Sequence, residues 1–203
     1  MQIACLDLEG VLVPEIWINV AERTGIDALR ATTRDISDYD VLMRQRLKIL
    51  NEHNLKLVDI QDVIAGMGPM KGAREFLDEL RHNFQVIILS DTFYDFAAPL
   101  MKQLGHPTLL CHRLHIDDDG RVVDYHLRMP DQKREAVMSL HHLHFKVIAA
   151  GDSYNDTSML SEADCGILFR PPQNVIDEFP QFPVTTNYEE LMAAFKQASI
   201  KIS

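Results

Sequence analysis

Cysteine, tryptophan and aromatic residues are scarce in this 203-residue chain: three Cys, one Trp and 7% Phe, Trp and Tyr together. The cysteines, Cys5, Cys111 and Cys165, are odd in number and form no CxxC pair, which argues against a disulfide framework and against a thiolate zinc site. Each lies in an apolar, strand-like run, so they read as buried thiols in a reducing cytoplasm. Nine glycines and nine prolines are too few for a low-complexity or collagen-like chain. No apolar run reaches the length of a membrane span. The opening MQIACLDLEG lacks the basic stretch and long apolar core of an export signal. Positive charge is also short, with 20 Lys and Arg against 30 Asp and Glu, a formal net of -10. With no Lys/Arg-rich run to reverse that field locally, neither nucleic acid nor a membrane is expected as a partner. Dinucleotide fingerprints and P-loops are absent too.

Against these absences stand four short apolar runs separated by helix-like stretches. Residues 2–8 (QIACLDL), Gln85–Leu89, Lys146–Ala150 and Cys165–Phe169 alternate with amphipathic segments at Gly72–Asn83, Phe93–Leu104 and Gln132–Leu143. That alternation predicts an α/β fold: a Rossmann-like, mostly parallel sheet with helices on both faces. LHIDDDGRVVDY (114–125) reads as strand, turn and strand, with Asp-Asp-Gly at the turn. Tyr188–Gln197 reads as a packing helix at the edge. One interval is too long for a crossover. More than sixty residues separate the first run from Gly72, and Ile16–Thr24, Ile36–Asn51 and Leu57–Gly66 have helical periodicity. Asp35-Ile36-Ser37 and Val58-Asp59-Ile60 look like helix starts. The expected organisation is therefore a core of residues 1–13 and 72–203 with a small helical cap, 14–71, inserted after the first strand.

The acids fall at the ends of the runs. Asp7 closes the first, Asp91 follows the second, and Asp152 and Asp156 follow the third. In an open α/β sheet ligands bind beyond the carboxyl ends of the strands, so separate segments deliver carboxylates to one crevice. Such a cluster is costly unless a cation neutralises it, and oxygen ligands without a Cys/His set suit magnesium. Ser90 and Lys133 supply a hydroxyl and a point charge for phosphoryl oxygens. Asn155 supplies an amide able to hold a carboxylate. Asp7 is placed to attack phosphorus, and Glu9, two residues on where the strand ends, to act as acid and base at the leaving group.

These motifs resemble those of the haloacid-dehalogenase superfamily. The similarity rests on CLDLEGVL (5–12), VIILSDT (86–92), Lys133 within MPDQKREAV, and VIAAGDSYNDTSML (147–160), in the superfamily's order, with the helical interval after residue 12 matching one of its cap types. Within it the chain is similar to the phosphoserine phosphatases, through Glu15, Arg46 in RQRLKIL, and GMGPMKGAREFLDEL (66–80). It is most similar to those bacterial members that also transfer phosphate from phosphoserine to homoserine. The resemblance implies Asp7 as nucleophile and Glu9 as acid/base. It implies Mg2+ held by Asp7, the backbone carbonyl of Glu9 and Asp152, with Asp156 in support, and phosphate held by Ser90 and Lys133. Asn155 would organise the pocket, Glu15 would meet the substrate ammonium and Arg46 its carboxylate.

Three departures accompany the match. Glu9 stands where the family usually has Asp. Gly10 replaces a Ser or Thr, which removes a hydroxyl bond and loosens the cap hinge. Asp91-Thr92 follows Ser90 in place of two glycines. The main alternative within the superfamily is a phosphatase for another small phosphomonoester. Outside it, a receiver-like signalling domain shares the acid cluster and magnesium, but would be shorter and would lack both Glu9 and the inserted helices. A pure interaction module has no need of acids at three strand ends. His112 and His115, flanking a strand, and His141, His142 and His144, around a helix end, read as surface histidines. Trp17 and Met43 read as core or cap-lining residues. A cap surface could support a homodimer, though no heptad or apolar stripe marks one.

Overall fold

The computed structural model describes residues 1–32, 35–36 and 38–202. Seven strands form one sheet: β1 (Gln2–Leu6), β2 (Gln85–Phe93), β3 (Thr108–Ile116), β4 (Val122–His126), β5 (Lys146–Gly151), β6 (Cys165–Phe169) and β7 (Val184–Thr185). Their order is β4-β3-β2-β1-β5-β6-β7. Every neighbouring pair is parallel except β3 and β4, the predicted hairpin. The expected α/β architecture is therefore present, with β4 as an antiparallel edge.

Alternate side chains of β1 serve the two faces of the sheet, as pleating requires. Ala4 and Leu6 join one apolar cluster, and Ile3 and Cys5 the other. The first cluster takes in α4 (Ala73–Asn83), α5 (Tyr94–Gln103) and α9 (Tyr188–Lys201). The second is closed by α6 (Gln132–His142), α7 (Thr157–Glu162) and α8 (Gln173–Glu178). With both faces covered, the central strands read as continuous apolar runs, which is why they were legible.

Between β1 and α4 lie α1 (Ile16–Thr24), α2 (Tyr39–Glu52) and α3 (Leu57–Ala65). Leu29, Met43, Ile60 and Ile64 from this stretch belong to the first core cluster, so the inserted helices share their apolar interior with the sheet. The chain leaves the sheet after Leu6 and rejoins it at Gln85, and between them Met70 N–H donates to the Leu12 carbonyl at 2.9 Å. A second, polar seam ties the insertion to the β3–β4 hairpin. Arg44 meets Asp124 at 2.7 Å, Arg121 reaches Asn51 and Asn54, and Leu57 N–H donates to the Gly120 carbonyl.

Several boundaries differ from expectation for local reasons. Helix α2 starts at Tyr39 rather than Ile36, because Asp38 caps it by accepting from Val41 N–H at 3.1 Å. Asp35 turns back to accept from Thr32 N–H, and Ser37, part of the expected start, lies outside the described residues. Strand β2 does not stop at Leu89. Leu89 is opposite Leu110 and Phe93 opposite His112, so four residues of advance on β2 face two on β3. Ser90, Asp91 and Thr92 form a bulge inside the strand, and bulges re-aim side chains. Of the cysteines, Cys5 and Cys111 are buried and Cys165 only half-buried. Trp17 and Met43 are buried, as core or lining residues would be. No helix among the described residues is long and apolar enough to cross a membrane.

Candidate active site

The four acids of the strand ends do converge. Asp7 follows β1 and is pinned there by its N–H to the Ala150 carbonyl at 2.9 Å. Asp152 and Asp156 follow β5, and their carboxylate oxygens lie within 4.8 Å of one another and of Asp7's. Asp156 is fully buried. Its Oδ2 accepts from the N–H groups of Asp152 and Ser153 at 2.9 and 3.1 Å. A side chain on Gly151 would collide with it, the ideal Cβ falling 2.4 Å from Asp156 Cβ.

Lys133, near the start of α6, reaches into the middle of this group. Its Nζ is 3.0 Å from Asp7 Oδ1, 2.8 Å from Asp156 Oδ1 and 3.3 Å from Asp91 Oδ2. Burial works to neutralise this ammonium, but the three carboxylates outweigh it and hold its pKa well above the ordinary value. Asp7 is pushed well up, first by burial and then by the Asp156 carboxylate, against the pull of Lys133. Asp152 is pushed up to about 7 by burial and by Asp156. One ammonium does not balance this many acids, and a hard divalent cation among Asp7, Asp152 and Asp156 is the group that would. The oxygen-only donor set fits magnesium.

Glu9 sits apart from that cluster. Its Oε2 accepts from Ile16 N–H at 2.8 Å, at the start of α1. Burial pushes the Glu9 carboxyl up to about 8, and nearby Glu15 adds to the rise, while Ile16 N–H and Arg46 oppose it. A carboxyl that stays protonated near neutrality is suited to donating a proton.

Arg46 comes from α2 and lies buried, its guanidinium 4.5 Å from the centre of the Trp17 ring. Nη2 donates to the Ala31 carbonyl, but Nε has no partner. Burial lowers its pKa to about 10, against the favourable fields of Tyr39, Glu9 and Glu15. Glu15 is exposed at the N-terminal end of α1. Ser90 is buried in the β2 bulge, where its Oγ accepts from Thr92 N–H at 3.2 Å. Asn155 is exposed and donates to Asp91 Oδ2 at 2.9 Å.

Gly10 is tighter than expected. Its φ is +75°, and an added Cβ would sit 2.4 Å from the Asp152 carboxyl carbon. Its N–H is bonded to the Val13 carbonyl at 2.9 Å. Instead of loosening a hinge, this glycine lets the backbone pass against an acid of the site. A second correction concerns His112, which is buried and not a surface residue. Its Nε2 faces Asp91 Oδ1 at 3.7 Å. Gln132, adjacent to Lys133 and also buried, donates to the Ser90 carbonyl and to Asp91 Oδ1. Neither His112 nor Gln132 stood out as a site residue in the sequence. The one available signal was a polar residue inside an apolar run for His112, and the neighbour of Lys133 for Gln132.

Residues 1–164 match the haloacid dehalogenase-like hydrolase family. The chain belongs to that family. Among its relatives, phosphoserine phosphatase ThrH of Pseudomonas aeruginosa is 68% identical over 199 residues, covering 98% of this chain and 97% of that protein. A phosphoserine phosphatase of Pseudomonas syringae pv. tomato is 65% identical, covering 98% and 84%. Among solved structures, a phosphoserine phosphatase in apo form superposes with a TM-score of 0.77 at 20% identity, over 95% of this chain and 98% of that one. At that identity the superposition speaks for the fold alone. For a haloacid dehalogenase-like hydrolase the arrangement is chemically coherent: Asp7 lies beside a buried lysine, and two residues on is Glu9, whose pKa burial pushes up.

Proposed function

We propose that the chain is a magnesium-dependent phosphoserine phosphatase working through a phosphorylated Asp7. The observation that carries this is the pairing of two unlike acids on one short segment. Asp7 lies against Lys133 in the acid cluster, while Glu9 turns away to Ile16 with its pKa raised to about 8. Burial raises both carboxyls, and it is the Lys133 ammonium against Asp7 that favours the ionised, nucleophilic form there, while Glu9 can carry a proton. High identity to two phosphoserine phosphatases over nearly the whole chain supports the substrate class.

In the first step an Asp7 oxygen forms a bond to phosphorus as the bond from phosphorus to the serine oxygen breaks. Glu9 gives its proton to the departing alkoxide. In the second, water attacks the same phosphorus, Glu9 takes the proton back, and the aspartyl bond breaks to release phosphate. Ser90 and Lys133 hold the phosphoryl oxygens through both steps. Asp7, the Glu9 carbonyl and Asp152, with Asp156 in support, would hold Mg2+, which supplies positive charge to the transferring group. Glu15 is assigned to the substrate ammonium and Arg46, with its unpartnered Nε, to the carboxylate. We further assign residues 14–71 to a cap over the crevice. The three free cysteines support a cytoplasmic setting.

Homoserine is proposed as a second acceptor. It carries serine's ammonium and carboxylate with one more methylene before its hydroxyl, so Glu15 and Arg46 suit both, and Glu9 can deprotonate either alcohol or water. The test is product partition. With phosphoserine and Mg2+, phosphate release establishes the phosphatase. Phosphohomoserine formed when homoserine is added establishes transfer, and phosphate alone at saturating homoserine removes the transfer assignment.

A further inference from the structure

We propose that Asp91, backed by His112, is a positioning residue that aims the Lys133 ammonium and the Asn155 amide at the phosphoryl site. The proposal rests on the reading of Asp7 and Lys133 given above.

A lysine side chain is a flexible stem ending in a compact charge, so something must fix its direction. Three carboxylates do so here, at 2.8, 3.0 and 3.3 Å. Two of them belong to the acid cluster that changes during turnover. Asp7 gives up an oxygen to phosphorus, and Asp156 stands in the group assigned to the metal. Among the described residues, Asp91 is the one ion-pair partner of Lys133 outside that cluster, and its charge is unaltered from step to step. It is therefore the fixed reference for the ammonium when the nucleophile becomes an ester.

The carboxylate of Asp91 is itself held from both sides. Oδ2 receives Asn155 Nδ2 at 2.9 Å and faces Lys133, and Oδ1 receives Gln132 Nε2 at 3.2 Å. Behind Oδ1, His112 Nδ1 accepts from Arg128 N–H at 3.1 Å, which leaves the ring proton on Nε2, directed at Asp91. Gln132 is fixed in turn by Arg128 Nη2 at 2.9 Å and by its own donation to the Ser90 carbonyl. The Asp91 carboxylate is only partly buried, with 37% of its side chain exposed, and it has donors on both oxygens. With its oxygens so engaged it is badly placed to act as a base. What it does is connect the residue that precedes it, Ser90, with Lys133 and Asn155 through one rigid set of bonds. The β2 bulge makes this possible by turning Ser90, Asp91 and Thr92 out of register with β3.

The experiment uses the full chain with Mg2+ and three variants: Asp91→Ala, Asp91→Asn and His112→Gln. Each is assayed on O-phosphoserine and on p-nitrophenyl phosphate, which has neither ammonium nor carboxylate, with thermal unfolding as a control for folding. Loss of a group that orients a reacting residue costs about tenfold to a hundredfold in activity. Asp91→Ala should lower kcat by about that factor on both substrates, with KM moving less than about threefold. Asp91→Asn, which keeps an acceptor oxygen, should lose less, and His112→Gln should shift kcat in the same direction. A rise in KM confined to phosphoserine would make Asp91 a substrate contact and overturn the proposal. So would unchanged kcat in folded Asp91→Asn and His112→Gln, which decide the matter if Asp91→Ala fails to fold. Absence of phosphatase activity in the unmodified chain would instead sink the functional reading on which the proposal rests.

Discussion

Two buried cations, Lys133 and Arg46, are satisfied to different degrees. Lys133 is ringed by three carboxylates within 3.3 Å. Arg46 spends one nitrogen on the Ala31 carbonyl and another on the Met43 sulfur, lies over Trp17, and keeps its Nε unpartnered. A saturated cation holds protein groups in place, whereas a buried donor without an acceptor is costly unless a ligand completes it. On the function proposed above, the contrast is between a reaction centre built in advance and a recognition centre completed by its substrate.

The sharpest way to break the comparison is at the nucleophile. Asp7→Asn should lower phosphate release by on the order of 10^4-fold or more, and no acid-stable phosphoenzyme should form in a quenched reaction. Near-normal turnover in this variant would remove the covalent route altogether. Glu9→Gln should be next, slowing both formation and breakdown of the phosphoenzyme by about 10^2- to 10^4-fold. It also carries a stability signature in metal-free protein. The Glu9 pKa is raised from 4.5 to about 8, so the fold favours the protonated form. That contribution is complete below the unfolded value and is lost as pH rises from about 4.5 through about 8. Thermal scans of wild type against Glu9→Gln should therefore diverge across that window, with the variant lacking this decline. Parallel scans would mean that Glu9 is not held protonated.

On the recognition side, Arg46→Ala should raise KM for phosphoserine by about tenfold to a hundredfold, the scale of a hydrogen bond to a charged group. KM for p-nitrophenyl phosphate should change little. Equal losses on both substrates would make Arg46 structural and erase the contrast with Lys133. The smallest effect belongs to the boundary between the two sides. Gly10→Ala forces a Cβ against Asp152 at φ +75°, with about 1–2 kcal/mol of backbone strain. A lowered Tm and a weakened response to Mg2+ should appear together, because the clash falls on Asp152.

The reaction side was the more legible of the two in the sequence, and the reason is geometric. Asp7 and Asp152 follow apolar runs that are buried on both faces, and a fully apolar run ending in an acid is visible one residue at a time. Lys133 was equally visible at a helix start. The β2 bulge was not, because Ser-Asp-Thr between Leu89 and Phe93 looks like the end of a strand rather than a detour within it. His112 was missed because burial depends on which neighbours close over a position in β3, and those neighbours are far away in sequence. The partner geometry of Arg46 was similarly hidden, since Ala31 and Trp17 come from other elements of the insertion. The short elements β7 and α8 left no periodicity to read, and the start of α2 turned on whether Asp35 or Asp38 would serve as the cap.

The single hydrogen bond between Met70 N–H and the Leu12 carbonyl has a consequence for how this scaffold can change. The chain departs and returns at neighbouring points, so the two ends of everything between them are already held together. Closing a longer or shorter excursion across such fixed ends changes the chain entropy only logarithmically with its length. Length can therefore change in the turns between Val13 and Met70 without moving those ends, whereas Leu29, Met43, Ile60 and Ile64 bind the buried faces of this stretch to the core shared with the sheet. Turn length in this stretch is thereby uncoupled from the position of Asp7, which is set by β1 and by its N–H bond to the Ala150 carbonyl.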